Sequence, residues 1–170
     1  MEDWAEEAAE QRNLVAQRES ERQVWLLHAA QIIAKRGEFV FRQLYTDSQR
    51  KIDTFNNKLR PNSEDRLEYN PPMRGVFWVR RKCHPTVGVK VRLDAVGQFI
   101  SFECARRANH ECDEESKSAK FDLVVADTGQ VCLYLKGEII DPADAAEIIL
   151  GPLMQPELMM SKWFLPLASN

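Results

Sequence analysis

The spacing of apolar residues changes character several times along this chain. Residues 2–59 contain no proline, a single glycine (Gly37) and much Glu, Gln, Ala, Arg and Leu, a composition that favours helix. From Trp4 to Arg22 the apolar positions are sparse, with Trp4, Ala8 and Val15 on one stripe. From Val24 to Ile33 ("VWLLHAAQII") they point nearly all round, so this part is expected to be buried on more than one side. Gly37 is the expected break or kink. Beyond it Phe41, Leu44, Ser48, Ile52, Phe55 and Leu59 step by three or four, which predicts an amphipathic helix with one buried face.

"RPNSEDRLEYNPPMRG" (60–75), with three prolines, ends the helical region and reads as a connector. The period then becomes two. Five strands are expected at 76–83, 87–93, 99–105, 121–126 and 131–139, with "DAVGQ" (94–98) and "DTGQ" (127–130) as hairpin turns. Short links between consecutive strands predict an antiparallel meander. Alternation puts Phe77, Val79, Val87, Val89, Val91, Leu93, Ile100, Phe102, Phe121, Leu123, Val125, Val131, Leu133 and Leu135 on an apolar face. Trp78, Arg80, Lys82, Lys90, Arg92, Ser101, Glu103, Asp122, Tyr134 and Lys136 fall on the opposite, mostly wet face. The apolar face needs a cover, which the long helix supplies.

"DPADAAEIILG" (141–151) has the grammar of a helix: Asp141 as N-cap, Pro142 in the first turn, Gly151 as terminator. A second short helix is expected from about Pro156, in the Met-rich tail. The expectation is therefore an α+β fold in one domain spanning 1–170. Within it, 1–59 is helical, 60–75 a connector, 76–140 an antiparallel sheet, and 141–170 one or two C-terminal helices. In arrangement alone this is similar to helix-grip or TATA-binding-protein-like folds, a likeness that carries no function.

Length and charge add limits. The 170 residues, 44% hydrophobic and 29% charged, are enough to bury a core without disulfides. No stretch approaches a membrane span, and the acidic start does not read as a signal peptide, so a cytoplasmic location with free thiols is expected. Net charge is −3, but residues 74–107 carry eight bases against Asp94 and Glu103, while residues 111–147 carry ten acids against three bases. Neutralisation of the one by the other within the fold is the expected result.

Chemistry is thinly represented. In a meander Cys83 and His84 share a sheet end with His110 and Cys112, so a metal held by these four is a minority candidate. Their C-H and H-x-C spacings converge poorly on one ion compared with C-x₂₋₄-C or H-x₃₋₅-H, and no cofactor is expected. Cys104 alternates toward the core, and Cys132 away from it. "ECDEES" lacks the order of a calcium loop. No phosphate-binding glycine motif occurs, and no nucleophile stands beside a base and an oxyanion hole. These absences favour a binding module over an enzyme.

Three binding readings follow. The preferred one is self-association, or a protein partner, through the N-terminal helix, whose apolar surface exceeds what one sheet face must cover. The alternative is a small apolar ligand, bound or turned over, between helix and sheet near Trp163, Phe164 and Met154, Met159 and Met160. The last is nucleic acid on the sheet face formed by Trp78, Arg80, Lys82, Lys90, Arg92 and Tyr134, which mixes aromatic and cationic groups. The acidic total charge disfavours it.

Overall fold

The computed structural model describes residues 3–81, 86–107 and 114–155. One helix, α1 (Asp3–Lys58), comes first. Seven strands follow: β1 (Leu67–Tyr69), β2 (Val76–Arg81), β3 (Thr86–Asp94), β4 (Phe99–Arg107), β5 (Glu114–Val125), β6 (Val131–Leu135) and β7 (Glu138–Ile140). A second helix, α2 (Pro142–Met154), ends the described chain. The strands pair antiparallel in sequence order, β1 through β7, and curve into a half-barrel. The α+β class and the meander are as expected. The count of five strands is not.

Each miscount has a local cause. β1 lies inside the expected connector, where only Leu67 of its three residues is buried. The expected strand 131–139 is a hairpin. Its turn is Lys136 and Gly137, both at positive φ (50° and 97°), as a two-residue type I′ turn requires. β5 starts at Glu114, in what reads as a hydrophilic loop, because nine consecutive residues pair with β4 from Phe99↔Asp122 to Arg107↔Glu114. Pairing overrides the weak strand propensity of "EESKSAK".

The core is the concave face. Phe77, Val79, Val87, Val89, Val91, Ile100, Phe102, Cys104, Phe121, Leu123 and Leu133 are buried there, as alternation predicts, while Leu93, Val125, Val131 and Leu135 of the same expected set pack against them only partly buried. α1 covers them with Ile33, Val40, Phe41, Leu44 and Ile52. Phe41 and Phe77 have ring centroids 5.5 Å apart, Tyr45 and Phe77 5.3 Å, and Phe102 stacks on Phe121 at 4.9 Å. Ser48 sits in this stripe with its hydroxyl donating to the Leu44 carbonyl at 2.8 Å, which satisfies it without a partner across the interface.

Gly37 does not break α1. It is buried, and a Cβ there would lie 3.3 Å from Leu123 Cδ1. The glycine lets helix and sheet approach closely, and that packing outweighs a propensity penalty of about 1 kcal/mol.

The expected burial of Val24–Ile33 on several sides also fails in part. Val24 and Leu27 are 66% and 68% exposed, and burial begins only at Ala29. Length explains this. Fifty-six helical residues rise roughly 84 Å, whereas six inter-strand spacings give a sheet roughly 29 Å wide. Residues 4–28 therefore project beyond the body.

α2 packs beside α1 over the sheet, burying Ala145, Ala146, Ile149, Leu150, Pro152 and Leu153. Asp141 caps it by accepting from the Ala143 N–H at 2.8 Å. Gly151 does not terminate it. The helix continues through Pro152 because Leu153 is buried and the Gln155 N–H reaches the Gly151 carbonyl at 2.9 Å. Lys51 of α1 and Glu147 of α2 pair at 2.6 Å. The helix expected from Pro156 lies outside the described residues. No helix among the described residues is long and apolar enough to cross a membrane.

Candidate functional site

Three surfaces hold the residues of interest. The first is the convex sheet face. Trp78 stands directly opposite Lys90, and Val76 opposite Arg92, across β2 and β3. The Arg80 guanidinium lies 4.9 Å from the Trp78 ring centre and meets Glu68 Oε2 at 3.0 Å. Gly88 and Ala105 leave the floor between these side chains bare. The result is a shallow depression of about 310 Å³ walled by Trp78, Arg80, Lys90 and Glu103.

The sheet thus brings Trp78, Arg80, Lys90 and Arg92 together. It does not bring Tyr134, which sits on β6 opposite Asp122. β6 is three strands from β3, roughly 14 Å away. Lys82 lies outside the described residues. The basic residues are interleaved with acid: Lys90 pairs in register with Glu103, Arg80 with Glu68, and Lys120 meets Asp122 at 2.9 Å. Among the described residues, alternating charge of this kind is the pattern of a solvated sheet face.

Cys83, His84, His110 and Cys112 all lie outside the described residues. Of the described residues on either side of them, Thr86 pairs with Arg107, and Arg107 with Glu114. Among the described residues no three His, Cys, Asp or Glu side chains gather as metal ligands. Cys104 is fully buried, and burial pushes its thiol up to about 11. A thiol held neutral in this way is a core residue, not a nucleophile.

The second surface is the pair of margins where α1 leaves the sheet. A cleft of about 770 Å³ is bounded by Arg36, Phe39 and Val40 of α1 and by Val131, Leu133 and Ile139 of β6 and β7. Arg36 Nη1 donates to the Gly129 carbonyl at 3.2 Å across its end. Another, about 760 Å³, lies between Glu38, Arg42 and Tyr45 and the turn residues Pro72, Arg74 and Ala95. Both clefts carry charged rims. Between them the helix–sheet interface is filled by Phe41, Phe77, Phe102 and Phe121, each at most 1% exposed. Of the residues expected to line a ligand cavity, Trp163, Phe164, Met159 and Met160 lie outside the described residues, and Met154 packs partly buried against the core.

The third surface is the projecting part of α1. At 100° per residue, Trp4, Ala8, Val15 and Leu26 fall on the line that continues as Ala29, Ile33, Val40 and Leu44. The stripe that packs on the sheet therefore runs on into solvent. Trp4 is 69% exposed, Val15 65% and Trp25 53%, and Leu14 and Trp25 widen the stripe on one side. The sequence pattern contains this stripe, but the point where the sheet ends, and hence which part stays uncovered, follows only from the fold.

No protein-family model matches the chain, and comparison with curated proteins and with solved structures gave no significant match.

Proposed function

We propose that this protein is a non-catalytic interaction module in which residues 4–28 of α1 form the docking element for another protein surface. The observation that carries the reading is the uncovered apolar stripe. It holds two tryptophans, Leu14, Val15 and Leu26, all at least half exposed, on a helix otherwise built to be covered. Large apolar side chains exposed along one helix face mark an interaction site. Burying the exposed parts of Trp4 and Trp25 alone is worth on the order of 5 kcal/mol before ordering costs are counted.

Two other readings are less well supported. A ligand deep between helix and sheet would have to displace the phenylalanine rings that fill that interface, and the two clefts at its margins carry charged side chains that do not suit an apolar ligand. A nucleic-acid strand on the convex face would meet Glu68 and Glu103 between its cations.

The test is a photo-crosslinking residue placed at Trp25, with a second at Trp78 on the convex face as comparison, in the full chain expressed in its native cell. The expected result is a discrete adduct from position 25 and none from position 78. Absence of any adduct from position 25 rejects the reading.

A further inference from the structure

The stripe along residues 4–28 is interrupted, and the interruption selects its partner. Arg18 and Arg22 lie on the same line as Val15 and Leu26, so anything that covers the stripe must also cover two guanidinium groups. A buried cation needs an acid, or at least a hydrogen-bond acceptor, opposite it. The helix itself carries that acid near its tip: Glu7 flanks the stripe, with Glu6 and Glu10 on the same turns and no base before Arg12.

We infer that the partner is a second copy of this chain, its projecting helix laid antiparallel along the first. The inference rests on the docking role proposed for residues 4–28. In an antiparallel alignment centred between Leu14 and Val15, Leu14 of one copy meets Val15 of the other. Gln11 then meets Arg18, Glu7 meets Arg22 and Trp4 meets Trp25, each contact occurring twice. Every arginine of the seam has a polar or acidic partner, and both tryptophans are covered. A parallel pair would instead set Arg18 against Arg18 and Arg22 against Arg22, like charges in a desolvated seam. The alignment also fits the body. Trp4 of one copy comes level with Trp25 of the other, short of Ala29 where α1 becomes buried, so the two sheets sit at opposite ends of the helix pair without collision.

The experiment is sedimentation equilibrium on the full chain, with far-UV circular dichroism to confirm that each variant keeps its helix and sheet. The wild type should show twice the 19.6 kDa of one chain. Glu7→Arg alone and Arg22→Glu alone should each weaken the dimer on the order of tenfold or more, because every dimer holds two such pairs. Combining both changes in one chain should return the dissociation constant to within a few-fold of wild type. That rescue is specific to an antiparallel seam, since in a parallel one each change replaces one like-charge pair by another.

Single reversals without effect on a dimer that Trp25→Glu dissociates would overturn the antiparallel seam. A wild type that stays monomeric up to about 100 μM would overturn self-association. The crosslink at position 25 separates the two ideas. An adduct with a different protein keeps the docking reading and rejects the second copy, whereas no adduct rejects both.

Discussion

Asn56, at the end of α1, bonds both backbone polar groups of Leu67 in the edge strand β1. Its Nδ2 donates to the Leu67 carbonyl and its Oδ1 accepts from the Leu67 N–H, each at 2.9 Å. The side-chain amide does for β1 what an eighth strand would do, and it ties the helix end to the sheet edge. Both residues are buried, so water cannot take over if the amide is lost.

Asn56→Ala should therefore cost about 1–3 kcal/mol, the range for a buried donor and acceptor left unpaired. Urea denaturation gives the value, and a change below about 0.5 kcal/mol would show that the edge closes in another way. Asn56→Asp should destabilise at neutral pH as well, because a carboxylate cannot donate to the Leu67 carbonyl. Protonation restores a donor, so this variant should regain stability relative to wild type as the solution is acidified.

Gly37 is the second constraint between helix and sheet. Gly37→Ala brings a methyl to 3.3 Å from Leu123 Cδ1, the end of a flexible side chain, while helix propensity gains about 1 kcal/mol. The two effects nearly cancel, and the expected change is within about 1 kcal/mol. Gly37→Leu cannot be accommodated by a small shift and should cost about 1–3 kcal/mol or more through overpacking. If both substitutions are neutral in thermal unfolding, the close approach is not what fixes glycine at this position.

Cys104 makes stability fall in alkali. Its thiol is raised from 9.0 to about 11 by burial, so the folded state holds the proton more tightly than the unfolded one. The contribution is fully present below pH 9 and is lost as pH rises from 9 to 11, about 2–3 kcal/mol in total. Tyr45 and Tyr69, both raised chiefly by burial, act in the same direction. Cys104→Ala should lower stability at pH 7 by leaving a small cavity, yet flatten the decline between pH 9 and 11 without abolishing it. In the native wild type this thiol should resist alkylation at pH 8 and react once urea unfolds the chain.

These sites show what the sequence displays and what it hides. The period of two along Phe77, Val79, Val89 and Val91 is legible because one sheet face is buried and each strand carries its own alternation. β1 is not legible, because its place depends on Asn56, eleven positions earlier and on a different element. The first half of β5 is hidden for the same reason: "EESKSAK" becomes strand by pairing with β4, and its own residues do not favour that state. Gly37 and Gly151 read as helix ends by local rules, and tertiary packing against Leu123 and around Leu153 overrides both. The stripe from Trp4 to Leu26 is plain in the pattern. Its exposure is not, since that depends on how far the sheet reaches along α1.

That geometry yields the last prediction. Residues 4–28 are exposed almost throughout, so the body draws little stability from them. A chain starting at Val24 should keep the sheet and the second half of α1, and at dilutions where copies are separate its unfolding free energy should match the full chain within about 0.5 kcal/mol. At higher concentration the two should diverge. The full chain gains stability as association draws on the folded state, whereas the shortened chain, without Trp4 and Val15, should not. Equal stability and equal mass at every concentration would show that the projecting helix covers nothing and is covered by nothing. A large loss even at high dilution would place residues 4–23 against the body, contrary to their exposure. Thermal unfolding as a function of protein concentration, with light scattering at each step, separates these outcomes.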